Sequence, residues 1–201
     1  MERIATIALL AAALAVAGCF EEPVPASKTV PEGARLYLQD KGLKDLASCR
    51  DSLKPEIVDY VNLDRNELSE FPAELASLTG LKWLRLNDNK LSSLPDLSAL
   101  AGLRRIYLRG NKFESVPETL KSLESLTDID LSENPVSEVP EWLAQKKGLE
   151  NLSFSRTKVT ALPQDISAWK SLRSLQLGDL QMSAEEMARI RAALPSTAVV
   201  F

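Results

Sequence analysis

The chain contains no histidine. That absence excludes imidazole general bases, Ser-His-Asp and Cys-His nucleophilic sites, and His-ligated zinc. Cysteine is almost as scarce: Cys19 and Cys49 are the only two, too few for a disulfide framework. No Gly-rich phosphate loop, Cys-x-x-Cys pair or Gly-x-Ser-x-Gly elbow occurs. The net charge of −4 comes without a basic run or tail, so nothing points to nucleic acid. The one long hydrophobic run, Ile4 to Ala17, has fourteen residues, short of the ~20 that span a bilayer. What remains is a chain of 201 residues, 45% hydrophobic and 26% charged, the composition of one globular domain with extras.

Residues 1–18 stand apart from the rest. Arg3 supplies a positive start, the apolar run follows, and small residues lead to Cys19, the order of a secretory signal. The stretch Leu14-Ala15-Val16-Ala17-Gly18-Cys19 resembles a bacterial lipobox. That resemblance implies cleavage before Cys19 and a diacylglycerol thioether on its sulfur; the other reading is an ordinary secretory signal with an incidental cysteine. Phe20, rather than Asp, follows the cysteine, which favours the outer over the inner membrane in a Gram-negative host. Residues 19–32 are proline-rich and poor in apolar side chains, an extended tether reaching up to ~40 Å. With Cys19 given to lipid, Cys49 is expected to be a buried thiol with no intrachain partner.

Self-similarity organises everything after the tether. Val61-Asn62-Leu63-Asp64-Arg65-Asn66 recurs as Leu84-Arg85-Leu86-Asn87-Asp88-Asn89, Ile106-Tyr107-Leu108-Arg109-Gly110-Asn111 and Ile129-Asp130-Leu131-Ser132-Glu133-Asn134. Two looser copies start at Leu152 and Leu175, and successive starts lie 23, 22, 23, 23 and 23 residues apart. This L-x-L-x-x-N-x-L pattern resembles the leucine-rich repeat family. The resemblance implies an α/β repeat solenoid, a horseshoe with a parallel concave sheet and short helices or turns on the convex side.

Each fixed position has a physical reason. Alternate strand side chains point inward, so stacked L-x-L steps share one core. Asn66, Asn89, Asn111 and Asn134 stand where the chain leaves the strand, and an amide there can pair backbone donors and acceptors that the turn strands. Thr157 and Leu180 break this ladder, which predicts looser pinning of the last two turns. Pro72, Pro95, Pro117, Pro140 and Pro163 recur after each turn, where a first helical position is expected. One residue is missing between Pro95 and Leu97, so a tight turn is expected there.

Residues 33–57 read as an N-terminal cap or degenerate repeat, with Leu36, Leu38, Leu43 and Leu46 in phase and Lys41 in the asparagine position. Repeats occupy 58–182. Residues 183–201 read as a C-terminal cap: a capping box at Ser183-Ala184-Glu185-Glu186, a helix stopped by Pro195, and a final strand.

The outward strand positions are uneven. Tyr60, Trp83, Tyr107, Arg85, Arg105 and Arg109 cluster on one face, and these residue types are enriched in interface hot spots. Asp128, Asp130 and Glu133 follow within one repeat, and the last repeats carry small polar side chains. One reading makes the cluster an anchor for an anionic partner, with the acidic patch orienting it; the other has Arg105 and Asp128 simply pairing across the strands. The expectation is a lipid-anchored receptor or adaptor of the bacterial envelope, membrane-bound through Cys19, with a protein partner and a monomeric domain. Inhibition of an envelope enzyme or passive scaffolding are the alternatives. No catalytic site, cofactor, metal or nucleic-acid partner is expected.

Overall fold

The computed structural model describes residues 33–201 except 54 and 56; the expected signal peptide, Cys19 and the expected tether lie outside the described residues. Eight strands form one open sheet: β1 (Ala34–Tyr37), β2 (Val58–Asn62), β3 (Trp83–Arg85), β4 (Arg105–Tyr107), β5 (Asp128–Asp130), β6 (Asn151–Ser153), β7 (Ser174–Gln176) and β8 (Ala198–Val200). All neighbours pair in parallel, and their order in the sheet is their order in the chain.

The register carries the repeat. Val61 lies opposite Leu84, Leu84 opposite Ile106, and so on to Leu175, none of them more than 2% exposed. Leu63, Leu86, Leu108, Leu131, Phe154 and Leu177 make the second buried row. Burying each such side chain contributes ~1.5–3 kcal/mol. Opposite the sheet, the core is closed by Leu75 and Leu78, Leu120 and Leu123, and Ile166 and Trp169. The Trp169 indole N–H donates to the Leu143 carbonyl at 2.9 Å, so its burial strands no donor.

The asparagines bind successive repeats together. Asn89 Oδ1 accepts the Leu68 N–H, while its Nδ2 donates to Leu63, Leu86 and Asn87 carbonyls at 3.0–3.1 Å. Asn111 and Asn134 repeat this one period further along each time. Asn66 reaches back into the first repeat, accepting from the Lys41 and Leu43 N–H groups. Thr157, by contrast, accepts the Val159 N–H of its own repeat at a long 3.4 Å. Replacing Thr157 with Asn should therefore extend the ladder and raise stability by about 1 kcal/mol, measurable as a higher urea midpoint.

One residue before each ladder position, the backbone is left-handed: Asp40, Arg65, Asp88, Gly110, Glu133, Arg156 and Asp179 have φ between 54° and 65°. Six of these carry side chains despite a steric penalty of ~1–2 kcal/mol each. Their charges alternate on either side of Gly110, and Arg65 pairs with Asp40 at 2.6 Å while Arg156 meets both Glu133 and Asp179. Gly110 is the exception; a Cβ there would meet the Asp88 carboxylate, at 2.4 Å from Oδ1, which would have to turn aside.

The convex side corrects the proline expectation by one position. Pro72, Pro117 and Pro140 precede, rather than begin, the 3₁₀ turns Ala73–Ser77 and Glu118–Ser122 and the short helix α1 (Glu141–Ala144). Their extended ψ angles, 118° to 149°, swing the chain off the turn, and a helical residue cannot do that. After Pro95 the turn is a single 3₁₀ segment, Ser98–Leu100, begun by Asp96 accepting the Ser98 N–H.

At the N-terminal end, β1 joins the sheet, with a register shift between Ala34 and Arg35. Leu36, Leu38 and Leu46 continue the core rows. Cys49 is buried as expected, at 1% exposure, but it is disulfide-bonded and not a thiol. The expectation of a thiol rested on Cys19 being consumed by lipid.

The C-terminal end replaces the missing ladder with a clamp. Ser183 Oγ accepts the Glu186 N–H at the start of α2 (Ala184–Ala193). The expected capping box is only half formed, because the Glu186 carboxylate turns to the Leu162 N–H at 2.8 Å. Arg189 holds that carboxylate and also donates to the carbonyls of Leu162, Pro163 and Gln164. Arg189 holds the Glu186 carboxyl below its usual range, against a desolvation penalty, with help from the Leu162 N–H. A depressed folded-state pKa gives stability that is present above the unfolded value of ~4.3 and lost as pH falls through the folded one. Hydrogen exchange across 183–201, corrected for intrinsic rate, should accelerate on acidification below about pH 4. In Glu186→Gln the cap should already exchange faster at neutral pH and respond less to acid.

Candidate functional site

Because neighbouring strands pair without offset from β2 onward, outward residues line up in columns across the sheet. One column runs Tyr60, Trp83, Arg105, Asp128, Asn151, Ser174; the next runs Asn62, Arg85, Tyr107, Asp130, Ser153, Gln176. β1 adds Arg35 opposite Tyr60 and Tyr37 opposite Asn62. Those two residues were missed by sequence reasoning, although they flank Leu36 as the outward residues flank every other strand leucine.

The aromatic side chains touch in series. Ring centroids are 5.3 Å apart for Tyr37 and Tyr60, 5.0 Å for Tyr60 and Trp83, and 6.0 Å for Trp83 and Tyr107. The last two contacts are edge-to-face, the geometry that ring quadrupoles favour. All three tyrosines of the chain are in this row, so the scarce aromatic surface is spent here. Arginines lie on the rings: Arg35 over Tyr60 at 5.7 Å, Arg85 over Tyr107 at 5.4 Å and Arg105 over Trp83 at 4.8 Å. Burial raises the Tyr60 and Tyr107 phenols above their ordinary range, so both remain neutral donors at physiological pH. The Trp83 indole N–H is enclosed without an acceptor, a cost of ~1–3 kcal/mol that a native surface rarely carries without reason.

The arginines expected to anchor an anion already have carboxylates. Arg85 Nε donates to Asp64 at 2.7 Å, Arg105 lies 3.6 Å from Asp128, and Arg109 lies 3.1 Å from Glu133. The plain cross-strand pair Arg105–Asp128 is thus present, and it coexists with the stacking of Arg105 on Trp83. Asp64 and Asp128 are buried while their arginines stay partly exposed, and the pairs fix guanidinium planes over the rings.

Two residues of the expected patch are largely covered by their neighbours on the strand face. Tyr60 is 9% and Asp128 5% exposed; Tyr37, Arg35 and Trp83 surround the first. Asp128 accepts hydrogen bonds from Thr127 Oγ1 at 2.6 Å and Asn151 Nδ2 at 2.8 Å. Asp130 bonds the Ser132 N–H and hydroxyl, and Glu133 pairs with Arg109 and Arg156, so the three acidic residues do not converge on a common point. The third outward position serves as a second ladder. Asp64 accepts the Asn87 N–H, Asn87 the Arg109 N–H, and Ser155 the Gly178 N–H.

Beyond Tyr107 the face sinks. Small side chains on β6 and β7 leave a shallow hollow of about 210 Å³ between Tyr107 and Gln176, with Asp130, Asn151, Ser153 and Ser174 on its surface. The site is therefore an aromatic–arginine platform followed by a polar hollow, both on rigid strands.

The family pattern described as leucine rich repeat matches residues 58–113. A solved leucine-rich repeat protein of Leptospira interrogans is similar over 83% of this chain and 48% of its own, at 26% identity and a TM-score of 0.68. An internalin of Listeria monocytogenes is similar over 82% of this chain and 53% of its own, at 19% identity and a TM-score of 0.61. This chain spans about half the length of each. No curated protein matches it. Residues 58–113 match that repeat pattern, and the fold is the leucine-rich repeat solenoid that the resemblance implied. That fold generally mediates protein–protein interaction.

Proposed function

We propose that this protein is a protein-binding receptor or adaptor of the bacterial cell envelope, held on a membrane by lipid on Cys19 and docking its partner on the strand face. The observation that carries the docking reading is the aromatic row Tyr37–Tyr60–Trp83–Tyr107 with arginines laid on its rings. Such a surface is already ordered before binding, so little side-chain entropy opposes association. Because Arg85, Arg105 and Arg109 are paired within the chain, the aromatic rings carry the contact and the arginines orient it. Leucine-rich repeat proteins are generally non-enzymatic binding modules, which agrees with a chain lacking histidine.

The test is a crosslinking pull-down from envelope extract with the intact protein, beside the variant Trp83→Ala, Arg85→Ala, Arg105→Ala checked for folding by circular dichroism. Capture by the wild type and loss in the folded variant is the expected result; equal capture by both moves the docking face elsewhere.

The anchor has its own test. Cys49 is disulfide-bonded in the structure and Cys19 is the chain's other cysteine; one sulfur cannot carry both bonds, so the lipidated form proposed here is one in which Cys49 is not bonded to Cys19. Cells fed labelled palmitate should label the wild type and leave Cys19→Ala unlabelled and unprocessed. Labelling that survives in Cys19→Ala, or a mature mass without diacylglycerol, removes the lipid anchor. The absence of Asp after Cys19 supports placement in the outer membrane, which fractionation of the labelled protein checks.

A further inference from the structure

We propose that the hollow beside Tyr107 receives one basic side chain of the protein partner, with the Asp130 carboxylate as its counter-ion; this rests on the reading of the strand face as the docking surface. The hollow is a different subsite from the aromatic platform.

Three observations converge. The first is charge. Of the carboxylates in the outward columns, Asp64 is held by Arg85 and Asp128 by Arg105. Asp130 makes no ion pair among the described residues, and its one set of bonds, from the Ser132 N–H and hydroxyl, falls on Oδ1. Arg109, the arginine whose charge Asp130 supports, is already paired with Glu133.

The second is the wall. Tyr107 has Arg85 stacked from the β3 side, and on the other side it borders the hollow. A cation seated there meets a ring as well as a carboxylate, and the two attractions act from different directions.

The third is size and chemistry. At about 210 Å³ the hollow falls below the ~300–1,000 Å³ of small-molecule sites, so it suits one side chain. The Asp130 carboxylate and the Ser153 hydroxyl offer acceptors to a donor-only group, and lysine and arginine are the donor-only side chains that carry a fixed positive charge. Asp128, the other acid at this hollow, is largely enclosed by its hydrogen bonds with Thr127 and Asn151 and deepens the negative potential without competing for the contact.

The experiment uses the intact, isotope-labelled protein and three small probes: N-acetyl-lysine amide, N-acetyl-arginine amide and the uncharged N-acetyl-norleucine amide. The basic probes should give saturable amide shifts centred on Ser153 and Ser174. Asp130→Asn, which keeps an acceptor for Ser132, should weaken them about tenfold, the loss of one charge-assisted contact. Tyr107→Leu, a second variant, should also weaken them. Equal binding of norleucine, no saturable shift with either basic probe, or shifts unchanged in Asp130→Asn overturns the proposal. Those failures leave the docking reading to its own pull-down, where Trp83 and not Asp130 decides the outcome.

Discussion

Replacing Asn111 by alanine should lower the unfolding free energy by about 3 kcal/mol. The side chain is 7% exposed and makes four bonds: Oδ1 accepts the Leu91 N–H, and Nδ2 donates to the carbonyls of Leu86, Leu108 and Arg109. Alanine strands the buried Leu91 N–H, a loss of ~1–3 kcal/mol before relaxation, and takes one donor each from the carbonyls of Leu86, Leu108 and Arg109, which keep only Asn89, Asn134 and the Asp88 N–H. Water can reach part of the turn, which keeps the total below the sum. Urea unfolding of both forms checks the figure, and a midpoint indistinguishable from wild type would show that the ladder is ornamental. Aspartate at the same position should do nearly as badly, because it keeps the acceptor and loses both donors.

The second large effect is expected at Trp83. Trp83→Ala should weaken partner capture by at least about thirtyfold, some 2 kcal/mol, the range of a central aromatic anchor. Three neighbours depend on this ring: Tyr60 and Tyr107 meet it within 6.0 Å, and Arg105 lies on it at 4.8 Å. Its removal unfixes them together. Arg105→Gln should cost less, since Arg105 divides its charge between Asp128 and the ring. The same pairing implies shallow salt dependence. If the arginines instead acted as free anion receptors, capture would fall steeply between 0.05 and 0.5 M salt, roughly as exposed ion pairs are screened. A salt titration therefore separates aromatic from electrostatic anchoring.

How much of this was legible in the chain follows from the range of each interaction. The solenoid was readable because its rules are local: one L-x-L step and one asparagine per period specify where the core and the turn lie. The same locality located the exposed columns, so Trp83, Arg85, Arg105 and Tyr107 were found from spacing alone. Which of those columns stays open was not readable. Asp128 is closed by Asn151, 23 residues away, and Arg85 is claimed by Asp64, 21 residues away; such choices depend on side-chain rotamers across strands. Arg35 and Tyr37 escaped because Lys41 fills the asparagine position and a register shift disturbs the start of β1. The proline offset escaped for another reason: proline tolerates both the residue before a helix and the first one in it, and ψ alone separates them.

The strand order has a consequence for how the molecule is built. Since β1 to β8 follow the chain without a crossover, every strand finds its partner about one period upstream. A chain that emerges from its N-terminal end can lay down each repeat on the one before as soon as that repeat is complete, with no long-range pairing to await. At every stage of that growth the newest repeat leaves a raw apolar end, and it stays raw until α2 swings Arg189 back onto Leu162, Pro163 and Gln164. Until that clamp closes, each stage of growth presents an apolar end to which other chains can adhere.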